Sequence, residues 1–320
     1  MSVFERWRIH TASLAAALLL AACGGGGGSD APAQLATPDT PTSVAPQEPG
    51  APTLTNNIAM DGMNWVNYRR AQAGLPVLTR NELIDRAAQG HSDYQKTNNT
   101  ITHDQTAGKP GFTGERLGDR LTAAGYIFAN TTYAHGEVIS ATSNNSGFYM
   151  VDELIAAIYH RFVIFEPRFR EIGTGAATTN AGYTYFTSDF ATRNGYGPGI
   201  GRGNLVTWPA NDATGVATNF FSDYEAPDPV AGVNEVGYPV SVHADIDAVI
   251  TVQSFTIRPR GGADLAVKML RSGEDPNTTT RSAAAIVPLA VLRARTTYDV
   301  TFTGTVSQAA VSRTWSFTTR

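Results

Sequence analysis

Three residues in the middle of the chain carry groups that can bind a metal ion or transfer protons: His103, Glu137 and His160. Imidazole and carboxylate side chains serve both chemistries, because they donate lone pairs to a cation and exchange protons with a reacting group. The three residues are too far apart in sequence to form a local motif, so only the tertiary fold can bring them together. Their types alone predict either one shared site or three independent polar residues near the ends of loops.

Common catalytic motifs do not occur in the chain. The sequence contains no G-x-S-x-G nucleophile elbow, no H-E-x-x-H zinc motif and no S-x-x-K paired with K-T-G. The single cysteine, Cys23, excludes an intramolecular disulfide and a multi-thiolate zinc site. The net charge of −4, without a dense block of lysine and arginine, argues against a protein that binds nucleic acid through its phosphates.

The N-terminus predicts export and lipid attachment. Arg6 and Arg8 precede an apolar run over residues 12–22, which is too short to span a bilayer and is typical of a secretory signal. The run ends in the tetrapeptide LAAC, which resembles a bacterial lipobox and makes Cys23 the predicted site of acylation. The alternative is an ordinary cleavage site followed by a buried free cysteine.

We therefore predict a lipoprotein signal peptide over residues 1–22 and attachment of the exported chain to the membrane through lipidated Cys23. Residues 23–57 are rich in Gly, Pro, Ala and Thr, which predicts a flexible tether. Gly24 is not aspartate. By resemblance to other lipoproteins, this favours the outer membrane if the bacterium has two membranes.

Residues 58–193 mix helical and strand patterns, which predicts an α+β domain. Apolar residues recur at helical spacing over residues 58–73, 81–96, 115–124 and 151–162. Residues 172–177 and 183–191 have the composition of two strands joined by a turn. These helices and strands must position the three candidate residues.

The rest of the chain has the composition of a loop followed by strands. Residues 194–237 are rich in glycine and proline and predict a linker. Residues 238–320 contain short alternating runs separated by turn residues, which predicts an all-β sandwich similar to bacterial immunoglobulin-like (Ig-like) modules. We expect Trp315 and Phe317 in its core, and Tyr298 at the end of a strand in the manner of a tyrosine corner.

Several short motifs occur in a fixed order within residues 58–193. They are NYRRAQAGLPVL (67–78), the helix over 83–94, TH (102–103), GFTG (111–114), GE (136–137), YHR (159–161), EIGTG (171–175) and YFTSDF (185–190). In this order they resemble the bacterial CAP superfamily, also called the SCP domain. That superfamily covers cysteine-rich secretory proteins, antigen 5 and plant pathogenesis-related proteins.

The resemblance implies a three-layer α/β/α sandwich with a central cleft. It also implies that His103, Glu137 and His160 line the cleft and hold a divalent cation such as Zn²⁺, with one coordination position open. Such a cation would bind only while both imidazoles are neutral, so its affinity should fall below about pH 6.5. Glu153 is a further candidate ligand, because it precedes His160 by two turns of the predicted helix.

Together these features predict a lipid-anchored cell-envelope protein with a CAP domain and an Ig-like domain. We expect its cleft to bind a lipid, glycan or protein ligand without transforming it. One alternative is a metal-dependent hydrolase, for instance a peptidase, in which Glu137 is catalytic. The other is a structural adhesin in which the Ig-like domain is the working part.

Overall fold

The computed structural model describes residues 48–128 and 132–320. The predicted signal peptide, Cys23 and the first part of the predicted tether lie outside the described residues. Within the described ranges, no helix combines the length and the apolar character needed to cross a lipid bilayer.

Five helices and a four-stranded sheet make up the first folded part. The helices are α1 (Ile58–Gln72), α2 (Glu82–Asn98), α3 (Leu117–Ala123), α4 (Gly147–Ala156) and α5 (Ile158–Ile164). The strands are β1 (Thr79–Arg80), β2 (Ala134–Thr142), β3 (Glu171–Thr178) and β4 (Thr184–Thr192). They lie in the order β1-β3-β4-β2, with β1 parallel to β3 and the other pairs antiparallel.

Helix α2 covers one face of this sheet at very close range. A Cβ atom on Gly173 or Gly175 of β3 would collide with the α2 backbone near Asp85 and Gln89. The two glycines of the EIGTG motif are therefore required because they let the helix backbone approach the sheet.

Helices α1, α4 and α5 cover the opposite face. A Cβ atom on Gly62 of α1 would collide with the ring of Phe186 in β4, and one on Gly136 of β2 would lie 2.7 Å from Val163 of α5. Helices thus pack on both faces of one sheet. The predicted three-layer α/β/α sandwich is confirmed.

The starts of the helices have both local and distant causes. Asn57 and Asn81 cap α1 and α2, since each side chain accepts a hydrogen bond from a backbone N–H of the first turn. The single helix predicted over residues 151–162 is instead two helices, separated by Ala157 with its extended backbone (φ −68°, ψ 114°). The first N–H groups of α5 are bound by Glu225, a residue far along the chain.

The second folded part consists of strands. They are β5 (Val206–Trp208), β6 (Ala213–Val216), β7 (Asn219–Phe221), β8 (Glu235–Gly237), β9 (Val240–His243), β10 (Ile250–Pro259), β11 (Val267–Arg271), β12 (Ala283–Pro288), β13 (Thr297–Val306) and β14 (Ala309–Thr319). Two four-stranded sheets form, in the orders β10-β13-β14-β6 and β11-β12-β9-β5, and β7 pairs with β8. This all-β region fits the predicted Ig-like domain.

The structure differs from the prediction of a linker over residues 194–237. Strand β5 extends one sheet by pairing with β9, and β6 extends the other by pairing with β14 in parallel. The preceding glycine-rich stretch is held by Asp245, which accepts hydrogen bonds from the N–H groups of Ile200 and Gly201. These short strands depend on partners distant in sequence, so their own local pattern does not reveal them.

The expectations for individual aromatic residues of the β-sandwich are confirmed. Trp315 and Phe317 are buried. The hydroxyl oxygen of Tyr298 accepts a hydrogen bond of 2.7 Å from the N–H of Arg293, which ties the start of β13 to the preceding loop.

One hydrophobic core runs through both folded parts. The ring of Phe165, directly after α5, packs edge-on against Trp208 of β5 with centroids 5.0 Å apart. The fully buried Arg161 of α5 donates a 2.8 Å hydrogen bond to the carbonyl of Pro239. The β-sandwich is therefore packed onto the CAP-like part through α5.

Candidate functional site

Glu137 lies in a buried network on the α2 side of the sheet. Side chains alternate across a strand, so Glu137 points away from α5, which packs on its neighbour Gly136. The Glu137 side chain is only 3% exposed. Its Oε1 lies 2.9 Å from Nδ1 of His103, and its Oε2 accepts a hydrogen bond of 2.6 Å from Nη2 of Arg120. Both carboxylate oxygens are engaged.

The buried Arg120 of α3 organises this network. Its Nη1 donates to the backbone carbonyls of His103 (2.9 Å) and Glu115 (3.3 Å), so one guanidinium holds both the carboxylate and the loop that carries the imidazole. Burial by itself would raise the pKa of Glu137, but the charge of Arg120, the strongest opposing influence, holds it below its usual range. Glu137 is therefore ionised at neutral pH.

His91 of α2 is a structural member of the network. Its Nε2 lies 2.7 Å from the carbonyl of Thr102 and donates to it, while its Nδ1 accepts from the amide of Gln105 at 3.0 Å. The Gln105 amide is oriented by the N–H of Thr113, which donates to its oxygen at 2.7 Å. Burial lowers the pKa of His91, which keeps the ring neutral. The residue fastens the loop over 100–116 to α2.

A second carboxyl group, that of Asp189 in β4, accompanies Glu137. The two residues are direct partners in the β2–β4 ladder, and Asp189 is fully buried. Neither of its carboxyl oxygens has a hydrogen-bond partner within the described residues. Burial, and then the negative charge of Glu137, raise the pKa of Asp189 well above its usual value, which favours the protonated form of this carboxyl group.

Reasoning from the sequence did not single out Asp189. It occurs within the YFTSDF motif, in a strand that is buried along its whole length. An aspartate in the middle of such a strand was the one indication, because a carboxyl group is rarely fully buried without a special environment.

His103 is the exposed end of the network, with 57% of its side chain accessible. Because Nδ1 faces the Glu137 carboxylate, Nε2 is the nitrogen that a ligand can reach. A carboxylate on one ring nitrogen fixes the tautomer and the orientation of the ring. The held imidazole can therefore accept a hydrogen bond through Nε2, or take a proton from a bound water. Within the described chain, no hydroxyl side chain is hydrogen-bonded to His103.

His160 has a different partner, Glu225. Its Nδ1 lies 3.0 Å from Glu225 Oε1. The same carboxylate accepts hydrogen bonds from the backbone N–H groups of Ile158, Tyr159 and His160, at 2.8, 2.7 and 3.2 Å. Glu225 thus caps the N-terminus of α5, where a negative charge is stabilised by the exposed N–H groups.

The other two residues of the Tyr-His-Arg motif also reach the β-sandwich. The hydroxyl of Tyr159 donates to Asp275 at 2.9 Å, and Nη1 of Arg161 lies 3.1 Å from the hydroxyl of Ser241. The motif predicted to supply a metal ligand therefore forms the junction between the two folded parts.

The sheet separates His160 from the pair formed by His103 and Glu137. Helix α5 packs on the face of β2 marked by Gly136, whereas Glu137 is on the other face. The remaining candidate ligand, Glu153, is exposed on α4, and the break at Ala157 removes it from the helix that carries His160. The structure brings together His103 and Glu137 and leaves the other two candidates apart.

These positions do not fit the divalent cation site that the family resemblance implies. Within residues 48–128 and 132–320, no group of three His, Cys, Asp or Glu side chains is arranged to hold a metal ion. The second imidazole is occupied by Glu225, and both oxygens of Glu137 are occupied by His103 and Arg120. Cys23 lies outside the described residues.

A family-level comparison matches the first folded part. The family described as "CAP: Cysteine-rich secretory protein family" matches residues 63–190. A search of curated proteins gave no significant match.

Solved structures with similarity to the chain include an extracellular protein containing a SCP domain from Bacillus anthracis str. Ames. It is 26% identical over 43% of this chain, with a TM-score of 0.35, and the match spans 41% of its length. An outer surface protein from Borrelia burgdorferi is 16% identical, covering 41% of this chain and 90% of that one, with a TM-score of 0.35. Venom allergen-like protein 4 from Schistosoma mansoni is 11% identical, and the match covers 43% of this chain and 90% of that one, with a TM-score of 0.29.

The segment matched by the family contains the network around Glu137 and all but the last residues of the four-stranded sheet. Its motifs also occur in the order typical of that family. Residues 63–190 of this chain therefore form a CAP domain, the part of the chain that the family model matches.

Proposed function

We propose that this chain is an exported protein, attached to the bacterial cell envelope through a lipid on Cys23, whose CAP domain binds a ligand without transforming it. The observation that carries the binding role is the exposed imidazole of His103, held at Nδ1 by the buried Glu137. A side chain fixed in this way loses little conformational entropy when a ligand binds to it. The ligand is a lipid, glycan or protein component of the envelope.

The state of Glu137 supports binding rather than catalysis. Its oxygens already accept from Arg120 and face His103, and its pKa is held low. A carboxylate with a low pKa and two engaged oxygens is a weak general base and is not free to attack a substrate. Its role in the proposal is to orient the imidazole.

One observation favours a second candidate function, a hydrolase. A histidine with a buried carboxylate on Nδ1 has the arrangement of an oriented general base, which can activate a water molecule. In that case a peptide or ester library would be turned over, and His103→Ala and Glu137→Gln would each lower the rate by at least a hundredfold. Absence of turnover by the unchanged protein would leave binding as the function.

Binding is tested with the full exported chain carrying Cys23→Ser, which removes the lipid but keeps every folded residue. The soluble chain is mixed with washed bacterial envelope fragments and sedimented. We expect the fragments to retain it and His103→Ala to release it. The matched control is Arg86→Ala, another exposed residue of the CAP domain. Equal retention of the His103→Ala chain would reject this site and favour the β-sandwich as the adhesive part.

Attachment is tested separately by cell fractionation. The chain with Cys23 should sediment with membranes and dissolve in detergent, because several acyl chains hold a protein stably in a bilayer. Cys23→Ser should move it to the soluble fraction or leave the signal peptide uncleaved. Unchanged membrane retention would contradict the lipid anchor without bearing on the CAP domain.

A further inference from the structure

A shallow cavity lies where strand β2 ends and strand β4 begins, on the same side of the sheet as Glu137. Its volume is about 460 Å³, within the range of small-molecule sites. We call it the tyrosine groove. The groove is lined by Asn99, Thr100, Ile101, Tyr183 and Tyr185.

Tyr183 is half-buried and presents ring surface rather than a free hydroxyl group, whereas Tyr185 is only 2% exposed and supports the Tyr183 ring from behind. Their rings meet edge to face, with centroids 5.3 Å apart and planes at 74°. The hydroxyl of Tyr183 donates to the carbonyl of Ala141, and that of Tyr185 donates to Oδ1 of Asn99, both at 3.0 Å. These bonds hold the rings in place, so a ligand meets aromatic carbon at a fixed position.

The polar groups of the groove are uncharged. Asn99 uses its side-chain oxygen to accept from Tyr185, which leaves its amide nitrogen as a donor, and Thr100 supplies a hydroxyl. Ile101, with 60% of its surface exposed, adds an apolar rim. The lining contains no lysine, arginine, histidine, aspartate or glutamate.

This composition selects among ligand classes. An anionic ligand would need a cationic partner to offset its desolvation, and a cationic ligand would need a carboxylate; the lining has neither. An acyl chain would need a deeper and wholly apolar cavity. A sugar ring fits, because its C–H face packs on an aromatic ring while its hydroxyls bond with amide and hydroxyl groups. We propose that the tyrosine groove binds a neutral saccharide.

The groove lies close to His103 along the chain. Residues 99–101 line the groove, and His103 follows Ile101 by two residues. Along β2, Ala141 pairs with Tyr185 and Glu137 pairs with Asp189, so four residues, or about 13 Å of strand, separate the two places. An oligosaccharide can span them. This extension rests on the proposed binding function, since it names the ligand class of the same face.

The test uses the full exported chain with Cys23→Ser and three neutral probes: chitotetraose, cellotetraose and maltotetraose. Binding is measured by calorimetry and by saturation transfer from protein to sugar protons. We expect at least one probe to bind and Tyr183→Ala to weaken it at least tenfold. Tyr183→Phe keeps the ring and should bind within threefold of the unchanged chain. Tyr224→Ala removes a tyrosine that is 79% exposed outside the groove and should change nothing.

A second variant tests the groove independently, in case Tyr183→Ala disturbs the β3–β4 hairpin. Asn99 has a left-handed backbone (φ 48°), which glycine adopts readily, so Asn99→Gly removes the amide without straining the chain. It should also weaken binding at least threefold. The proposal is overturned if none of the three sugars binds, if neither variant weakens binding, or if vesicles of neutral phospholipid compete the sugar away.

His103→Ala separates this inference from the proposed function. Loss of sugar binding with Tyr183→Ala but not with His103→Ala would support the groove and reject the imidazole as part of the ligand site. Retention on envelope fragments that depends on His103, with no sugar bound, would support the proposed function and reject the groove.

Discussion

The carboxylate of Glu225 lies 3.0 Å from the imidazole of His160 and caps the helix on which that histidine sits. One partner belongs to the β-rich part and the other to the CAP domain. The contact explains why a helix begins directly after Ala157. It also explains why the Tyr-His-Arg motif does not contribute to the site at His103.

Replacing Glu225 should destabilise the whole protein. Glu225→Ala removes the acceptor for three backbone N–H groups and leaves them buried, which costs about 2–4 kcal/mol of unfolding free energy. Urea denaturation followed by fluorescence measures the change. Asp264→Ala, at an exposed acidic residue of the β-sandwich, is the control and should stay within about 0.5 kcal/mol. A Glu225→Ala chain as stable as the control would contradict the capping role.

Arg120 should be among the most sensitive positions of the CAP domain. Arg120→Met leaves the Glu137 carboxylate buried without its counter-charge, and breaking a buried pair in this way costs about 3–5 kcal/mol. The double variant Arg120→Met/Glu137→Gln should recover part of that loss, because it no longer buries an unpaired charge. Equal unfolding free energies for the single and double variants would show that the charge pair is not the cause.

The contribution of Glu166 to the stability of the protein should fall as the pH rises from weakly acidic to weakly basic. Glu166 accepts a hydrogen bond from the N–H of Ile246 in the β-sandwich. Burial raises the pKa of Glu166 from 4.5 to about 8. The charge of Arg70 opposes this rise, and the charge of Asp245 adds to it. The folded state therefore holds this proton more tightly than the unfolded chain. Its contribution is complete below about pH 4.5 and is lost as the pH approaches 8.

The matching variant is Glu166→Gln, which cannot titrate. The difference in unfolding free energy between the unchanged chain and this variant should drift by a few kcal/mol between pH 5 and pH 8, in the direction that weakens the unchanged chain. Urea curves at three pH values provide the measurement. A difference that does not depend on pH would mean that Glu166 is ionised when folded.

The CAP domain should depend on the β-sandwich for its fold. A chain ending at residue 204 loses Trp208, Glu225 and Pro239, which contact Phe165, the start of α5 and Arg161. We expect this fragment to lack a cooperative thermal transition and near-ultraviolet circular dichroism, whereas the chain ending at 320 should show both. A fragment that melts cooperatively at the same temperature would show that the CAP domain is autonomous.

Much of the fold is predictable from local patterns. The helical spacing over 81–96 and the turn residues between 172–177 and 183–191 correspond to α2 and to the β3–β4 hairpin. Alternating residues likewise predicted the strands from β9 to β14. These elements bury one face or both, so the residue types along them record their secondary structure directly.

The sequence predicted the pairing of His103 with Glu137 but wrongly added His160 to the same site, and the reason is physical. His103 and Glu137 meet because a buried arginine holds both the strand and the loop. His160 lies on α5, which packs on the other face of the sheet, and nothing local in the sequence around His160 reveals which face its helix will cover. Strands β5 and β6 escaped prediction for a related reason, since each is an edge strand defined by a distant partner.

The sequence by itself determined the type of most elements and the order of the CAP motifs, because periodic burial leaves its pattern over a few consecutive residues. Only the tertiary structure decided which carboxylate each histidine meets, that Asp189 lies beside Glu137, and that the glycine-rich segment belongs to the β-sandwich. Those outcomes depend on which groups remain unpaired when distant surfaces are buried together. A buried charge or N–H group takes the partner that the packing brings to it.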